Sequence, residues 1–145
     1  MTIFNIVGQD FFKPLTSYLK NLYFDCLEII YNSYSSELSY GIDREILVST
    51  LADYFESNHT SEINFEDETE ILRDSRMKAT TFLRKLKDFG WVEYEISNNQ
   101  TARVVMPDYA VTMFDGLKKF NTSIKKHIEV ITADKTSEEI IRDFF

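Results

Sequence analysis

The chain has a single cysteine, four glycines and two prolines among its 145 residues. Because Cys26 has no partner for an internal disulfide, the sequence favours a reducing compartment, by default the cytoplasm. Four glycines are too few for a glycine-rich loop that cradles a phosphate. No apolar run reaches the roughly 18 residues that a membrane span needs, and no basic and apolar leader opens the chain.

Signatures of catalysis are missing too. The sequence has no Walker-type, nucleophile-elbow, zinc-protease or C-x-x-C motif. The two histidines, His59 and His127, lie in unrelated segments, and Cys26 falls on an apolar stripe where a small core residue is expected. We therefore predict that the chain is not an enzyme, with no catalytic residue, metal site or cofactor.

Positive charge is also scarce. The chain has 24 acidic and 16 basic residues, for a formal net charge of −8. Because phosphate neutralisation supplies most non-specific affinity for DNA, this balance argues against a general DNA binder. Residues 58–70 contain five acidic side chains and no lysine or arginine, which predicts a polar, solvated connection. The alternative is a surface that faces a partner or repels DNA.

What the sequence does contain is enough apolar material for one core, spaced mostly with helical periodicity. A first helix is predicted from about Leu15 to Tyr34. Asp43 is the expected cap of a second helix, which runs from Arg44 to about Ser57. The residues of the second helix expected to face inwards are Leu47, Leu51, Tyr54 and Phe55.

The first helix carries apolar residues around about two-thirds of its circumference. A surface helix needs an apolar arc of only about 100°, so two of its sides are expected to be buried. One side would face its own core, and the other would face either another part of the chain or a second subunit. The candidate dimer interface is the stripe formed by Phe24, Leu27, Tyr31 and Tyr34.

Residues 71–106 predict a helix, a glycine turn and a two-stranded hairpin. The inward residues expected in the third helix, residues 71–89, are Ala79, Phe82, Leu83, Leu86 and Phe89. Gly90 suits a left-handed turn. Residues 91–96 alternate like a half-buried strand, residues 97–100 have turn chemistry, and residues 101–106 would return as the partner strand. A hairpin after three helices is the pattern of a winged helix.

Winged helices bind DNA in many proteins and join proteins in others, so the pattern alone leaves function open. The basic residues predicted outside the apolar stripe of the third helix are Arg76, Lys78, Arg84, Lys85 and Lys87. Of these, Arg76, Arg84 and Lys87 are candidate DNA contacts; the alternative is an ordinary exposed face. Glu93 and Glu95 argue against a wing that follows a DNA backbone, since Arg103 is the one basic residue of the hairpin.

A fourth helix is predicted to start at Pro107 and Asp108. Its heptad-spaced apolar residues, a candidate seam for a helical bundle, are Ala110, Met113, Leu117, Phe120 and Ile124. This helix either packs back on the preceding domain or joins a partner coiled coil. Gly116 and residues 121–123 are expected to interrupt it. A last short helix from Ser137 would end on terminal phenylalanines, which favours a truncated chain or a docking tail.

Together these elements predict a mainly α fold with a small β-hairpin (α+β), in which a winged-helix domain precedes C-terminal helices. We expect an arm at residues 1–14, packed on the core or on a partner. The winged-helix domain would occupy residues 15–106, and a helical extension would occupy residues 107–145.

Six short segments of the sequence resemble one family. They are FFKPL (11–15), LYFDCL (22–27), LSYGIDREIL (38–47), FLRKL (82–86), GWV (90–92) and DYA (108–110). In order and spacing they resemble the N-terminal region of JetA, the kleisin-like, MksF/MukF-type subunit of the Wadjet anti-plasmid complex. The resemblance spans most of residues 3 to 120.

This resemblance implies a winged helix that dimerises, followed by helices that contact the neck of an SMC-type ATPase, with residues 107–145 as the start of that bundle. It also implies a KITE-type subunit and a nuclease as partners, and no catalytic residues in this region. The leading expectation is a cytoplasmic, homodimeric, non-enzymatic scaffold domain that touches DNA only indirectly or weakly and no membrane. The alternative is a winged-helix transcription regulator.

Overall fold

The computed structural model describes residues 1–36, 41–58, 63–65, 71–96 and 101–132. The chain divides into a compact unit of residues 1–111 and a second unit that begins at Thr112. The described residues are mostly helical, with two small antiparallel sheets. The predicted fold class, mainly α with a small amount of β structure, is confirmed.

The order of elements along the chain is as follows. A short 3-10 helix at Ile3–Asn5 precedes five α-helices: α1 Lys13–Thr16, α2 Lys20–Ser36, α3 Arg44–Ser57, α4 Ser75–Asp88 and α5 Asp108–Thr132. The strands are β1 Ile42–Asp43, β2 Ile63–Asn64, β3 Ile71–Leu72, β4 Glu93–Ile96 and β5 Ala102–Val105.

The larger sheet has the strand order β1-β5-β4, with both pairs antiparallel. Val104 lies at its centre, opposite Ile42 on one side and Tyr94 on the other. The predicted hairpin is therefore present as β4 and β5, whereas β1 and the small β2–β3 sheet were not predicted. Strands of two residues are too short to show the period-two alternation by which strands are recognised. The predicted turn at residues 97–100 lies outside the described residues.

The single first helix predicted from Leu15 to Tyr34 is wrong, because the chain forms α1 and α2 with a break between them. Ser17 has extended backbone angles of φ −69° and ψ 153°. Its hydroxyl oxygen accepts a hydrogen bond from the backbone N–H of Leu19 at 3.0 Å. Serine thus satisfies a backbone donor locally, and this local bond competes with continued helix.

The second helix matches its prediction at both ends. The Asp43 carboxylate accepts hydrogen bonds from the backbone N–H groups of Glu45 and Ile46, at 3.0 and 3.1 Å, and so caps α3. The fully buried residues of α3 are Leu47, Val48, Leu51 and Phe55. Tyr54, predicted inward, is only half-buried, and its hydroxyl donates to the Asp25 carboxylate of α2 at 2.6 Å.

The third helix begins later than predicted. Residues 71 and 72 form β3, and α4 starts after Asp74, whose carboxylate accepts from the backbone N–H of Met77 at 2.9 Å. The predicted inward residues Ala79, Phe82, Leu83 and Leu86 are completely buried, and Phe89 is half-buried. Gly90 has a φ of +93°, so the predicted left-handed turn after the helix is confirmed.

Aromatic stacking ties the N-terminal arm to the strand region of the first unit. The Phe11 ring stacks on Trp91 with a centroid distance of 4.0 Å. The Trp91 indole N–H donates to the Phe11 backbone carbonyl at 2.6 Å. The Tyr109 hydroxyl donates to the Gly90 carbonyl at 2.7 Å. Both Phe11 and Trp91 are completely buried, so the arm contributes to the core.

The sequence predicts a solvated loop for the acidic connection between α3 and α4, but part of this connection is buried. Ile63 and Phe65 are both buried. Ile63 pairs with Leu72 across the small β2–β3 sheet. These two apolar residues place the described part of the connection, residues 63–65, in contact with the core. Residues 59–62 and 66–70 lie outside the described part of the chain.

The fourth helix continues without the predicted interruption. α5 runs for 25 residues through Gly116 and residues 121–123. One glycine inside a helix costs only about 1 kcal/mol relative to alanine, and a long helix tolerates this. The short helix predicted from Ser137 lies outside the described residues.

Candidate interaction surfaces

The basic face of α4 is smaller than the sequence indicated. Lys78 is 1% exposed and Lys85 is 5% exposed, so the prediction that both lie on an open face is wrong. The Lys85 ammonium group lies 5.4 Å from the centre of the Phe65 ring. Phe65 belongs to the docked part of the acidic connection, and this packing could not be seen from the periodicity of α4 alone. Lysine stems pack well against apolar surface.

The three candidate DNA contacts on α4 are exposed or partly exposed, and each has a partner within the chain. Arg76 forms an ion pair with Glu45 of α3, and Arg84 lies 3.9 Å from the Asp88 carboxylate. The Lys87 ammonium group lies 5.3 Å from the centre of the Tyr94 ring. Neighbouring carboxylates weaken the attraction of such cations for phosphate. DNA contact by these residues stays a prediction.

The hairpin adds little positive charge to this surface. Glu93 and Glu95 are exposed on β4. The Arg103 guanidinium of β5 is half-buried and donates to the Gly41 carbonyl at 2.7 Å. The basic side chain of the hairpin therefore holds the start of β1 in place.

The four residues of the candidate dimer stripe on α2 differ in how far they are buried. Leu27 is completely buried in the chain's own core, together with Tyr23, Cys26 and Ile30. Phe24, Tyr31 and Tyr34 are half-buried and keep part of their surface exposed. An interface on this helix would consequently use those three residues and not Leu27. Their role in association stays a prediction.

The candidate seam on α5 also has two parts. Ala110 is completely buried, whereas Met113, Leu117 and Ile124 are partly exposed. Phe120 is 67% exposed, and Val130, further along, is 73% exposed. Phe114 is completely buried, although it is not among the predicted seam residues. It directly follows Met113, so it lies beside the heptad seam, and an apolar stripe wider than one residue at each step would have included it.

Comparison with known protein families identifies part of this chain. Residues 29–122 match the family described as Wadjet protein JetA. This range is more than half of the chain. The chain belongs to the JetA family. The match begins within α2, includes α3, α4 and both sheets, and ends within α5. Searches of curated proteins and of solved structures found no match.

Among the described residues of this JetA-family chain, the titrating groups with a shifted pKa are a buried thiol and three tyrosine hydroxyls. Burial, and secondly the nearby Asp25 charge, raises the pKa of the Cys26 thiol, so the thiol stays protonated at neutral pH. Burial raises the pKa of Tyr54, and its hydrogen bond to Asp25 adds to the shift. Within the described ranges, no three histidine, cysteine, aspartate or glutamate side chains are grouped as a metal would require.

Apolar surface of the JetA-family chain also remains open at its beginning. Ile3, Phe4 and Ile6 are all largely exposed, although the Phe4 ring has an edge contact with Phe12 at 6.4 Å. Among the described helices, none has the length and apolar character needed to cross a bilayer.

Proposed function

We propose that this chain is a non-enzymatic dimerisation and scaffold domain of a kleisin-like subunit in the Wadjet complex, which acts against plasmid DNA. The observation that carries the proposal is the JetA family match over residues 29–122. Membership of that family makes the chain a component of the Wadjet system. In the proposed assembly its partners are a second copy, an SMC-type ATPase and a KITE-type subunit.

The topology of the first unit supports a winged-helix assignment. A helix, α2, leads through β1 into α3 and α4, and the β4–β5 hairpin follows. The first strand pairs with β5, the second strand of the hairpin. This is the order of elements in winged helices, a group that includes both DNA readers and protein-docking modules.

The charge of α4 and of the β4–β5 hairpin, the elements that read DNA in DNA-binding winged helices, favours protein docking over DNA reading. Arg76 is paired with Glu45, and Lys78 and Lys85 are buried. The hairpin exposes Glu93 and Glu95. A surface that binds duplex DNA normally gains its affinity from several unpaired cations facing phosphates.

Partly exposed aromatic side chains supply a surface for the proposed dimer. Phe24, Tyr31 and Tyr34 all lie on α2 and retain open surface. Tyrosine and phenylalanine are enriched in the central residues of protein interfaces, where they bury large apolar areas. On α5 the exposed Phe120 is a corresponding site for the proposed helical bundle with the SMC-type subunit.

The solution mass tests the dimer. Light scattering across a concentration series is expected to give about twice the 17.1 kDa of one chain. The double variant Phe24→Asp, Tyr31→Asp is expected to give a folded monomer, because each carboxylate would have to lose water in the interface. Asn21→Asp, on an exposed position of the same helix, is the matched control and should remain dimeric.

Two results would count against this interface. A double variant that remains dimeric would move the contact away from α2. A parent chain with the mass of one subunit at every concentration would remove homodimerisation from the proposal. Circular dichroism of the double variant shows whether it is folded, so that loss of the dimer is separated from loss of the fold.

A winged-helix regulator that binds DNA is the second candidate, favoured by the exposure of Arg76, Arg84 and Lys87 along one helix. It predicts duplex binding that weakens steeply with salt and with alanine at those three positions. If the chain shows no duplex binding even at low ionic strength, this candidate is removed.

A further inference from the structure

The first unit contains a cavity lined by lysine, hydroxyl and aromatic side chains. Its volume is about 310 Å³, near the lower end of the roughly 300–1,000 Å³ found for small-molecule sites. The described residues that line it are Lys13, Thr16, Ser17, Tyr23, Phe65, Lys85 and Phe89. They come from α1, α2 and α4 and from the segment that follows β2.

Two lysines give one part of this cavity positive charge. Lys85 is 5% exposed and is held within the protein by packing of its ammonium group over the Phe65 ring. Lys85 also has a further interaction in the chain, so an incoming anion would add to an existing contact. The Lys13 side chain is 63% exposed and lies 3.3 Å from Asp10. One cation is therefore fixed and partly desolvated, and the other is exposed and paired with Asp10, so a bound phosphate would compete with that carboxylate.

Hydroxyl groups lie on the same wall as Lys13. The Thr16 hydroxyl donates a hydrogen bond to the Lys13 backbone carbonyl at 3.2 Å. The Ser17 hydroxyl oxygen accepts a hydrogen bond from the Leu19 backbone N–H at 3.0 Å. The break between α1 and α2 thus places two hydroxyl side chains and a lysine together. Lysine ammonium groups and hydroxyls are common donors to phosphate oxygens, but the single Thr16 O–H is already donated to the Lys13 carbonyl, so Lys13 is the donor that this wall contributes.

Aromatic rings form the remaining walls. The Tyr23 ring lies 6.3 Å from the Phe65 ring and 6.1 Å from the Phe89 ring, each in an edge-to-face arrangement. Such rings offer faces and edges to a planar group, and stacking of a nucleobase on an aromatic side chain contributes substantially to binding.

We propose that this cavity binds a small anion that carries a planar ring, with the chemistry of a nucleoside monophosphate. The phosphate would lie between Lys13 and Lys85, and the ring would pack against Phe89 and Tyr23. The same chemistry occurs in a free nucleotide and at the 5′-phosphorylated end of a DNA strand.

Calorimetric titration of the full chain with three probes tests both halves of the ligand. Deoxyadenosine 5′-monophosphate is expected to bind at least about tenfold more tightly than inorganic phosphate or deoxyadenosine, because only the nucleotide uses both cations and rings. Equal affinity for phosphate would make the cavity a plain anion site and overturn the proposal. Equal affinity for deoxyadenosine, or no binding of the nucleotide, would overturn it as well.

Variants then locate the binding. Lys85→Met keeps the aliphatic stem and removes the charge, and we expect about tenfold weaker nucleotide binding. Lys13→Met should weaken binding about threefold, since this lysine is exposed to solvent. Because Lys13 is exposed, its variant keeps the test valid even if Lys85→Met fails to fold. Phe89→Leu should cost about fivefold through loss of the ring.

Lys126→Met, at an exposed position of α5, is the matched control and should bind the nucleotide like the parent chain. If Lys126→Met weakened binding as much as Lys13→Met, the effect would be one of overall charge, and the assignment to this cavity would be wrong.

A short single strand of DNA with and without a 5′-phosphate distinguishes a strand end from a free nucleotide as the source of the ligand. Tighter binding of the phosphorylated strand than of the free nucleotide assigns the site to a strand end, and the reverse assigns it to a free nucleotide.

Discussion

Helices α4 and α5 have the same kind of sequence pattern and different surroundings. Both have an apolar stripe at helical spacing and several lysines. In α4 the stripe of Ala79, Phe82, Leu83 and Leu86 is completely buried. In α5, from Thr112 onwards, Phe114 is buried while Phe120 remains largely exposed. Periodicity therefore identifies which face of a helix is apolar but not whether the same chain covers it.

The lysines show the same difference. Lys78 and Lys85 of α4 are buried although they lie outside the predicted stripe. Lys119, Lys125 and Lys126 of α5 are exposed. In α4, burial extends beyond the stripe because Phe65, a residue distant from α4 in the sequence, packs on Lys85. The environment of a helix is thus set by segments that its own sequence does not contain.

The largest expected effect is a difference in stability between alanine substitutions in the apolar stripes of α4 and α5. Phe82→Ala should reduce the free energy of unfolding by about 3–5 kcal/mol, because it leaves a cavity in a fully packed site. Phe120→Ala should change it by no more than about 0.5 kcal/mol, as for other exposed positions. Urea denaturation at several protein concentrations measures both. A loss for Phe120→Ala close to that for Phe82→Ala would show that the α5 stripe is covered in the folded protein.

A pair of glycine substitutions should act in opposite directions. Gly90, after α4, has a φ of +93° and Gly116 lies inside α5, where a Cβ would meet no atom within 4 Å. Gly90→Ala should destabilise the protein by about 1–2 kcal/mol because it forces alanine into a left-handed conformation. Gly116→Ala should stabilise it by about 0.5–1 kcal/mol through higher helix propensity.

Thermal unfolding of the two single variants measures the difference. Gly116→Ser serves as a control for simple crowding, since it also adds a side chain but has weaker helix propensity, and it should stabilise less than alanine. If both alanine variants moved stability in the same direction, the contrast between a required turn and an open helix position would be wrong.

The smallest expected effect concerns exposed ion pairs, in which the two helices should be similar. In α4 the Arg84 guanidinium lies 3.9 Å from the Asp88 carboxylate, and in α5 the Lys119 ammonium lies 2.9 Å from the Asp115 carboxylate. Both pairs have i,i+4 spacing. Asp115→Asn should cost about 0.3–0.5 kcal/mol and Asp88→Asn less, because an acid placed before its base is the better order. Chemical denaturation in urea at low and high salt measures these costs, and both should vanish at 1 M salt. A loss of stability that persists at 1 M salt would show that the carboxylate contributes more than a screened, solvent-exposed ion pair.

Sequence patterns predicted those elements whose signals are local. Asp43 before an apolar-periodic run gave the start of α3, and Gly90 gave the turn after α4. The hairpin was recognisable because four-residue strands are long enough to alternate. The apolar face of α4 followed from its spacing, and all four of its central residues are buried.

The features that were missed depend on contacts between distant segments. The two residues of β1 are recognisable as a strand only because they pair with β5, some 60 positions later. The break at Ser17 is accompanied by a side-chain hydrogen bond to the Leu19 N–H, whereas the apolar spacing on either side still predicted continuous helix. The cavity of the first unit combines residues of α1, α2 and α4 with Phe65, and no single segment contains enough of it to be a motif.

The contact between the arm and the strand region has an optical consequence. Trp91 is the only tryptophan in the chain, and it is buried against the Phe11 ring with its indole N–H on the Phe11 carbonyl. Its fluorescence emission in the folded chain is therefore sensitive to whether the first dozen residues are seated against it. Release of the arm would expose the indole to water and shift its emission to longer wavelength, without any added label. The protein thus contains its own probe for whether the arm is in place when a partner binds.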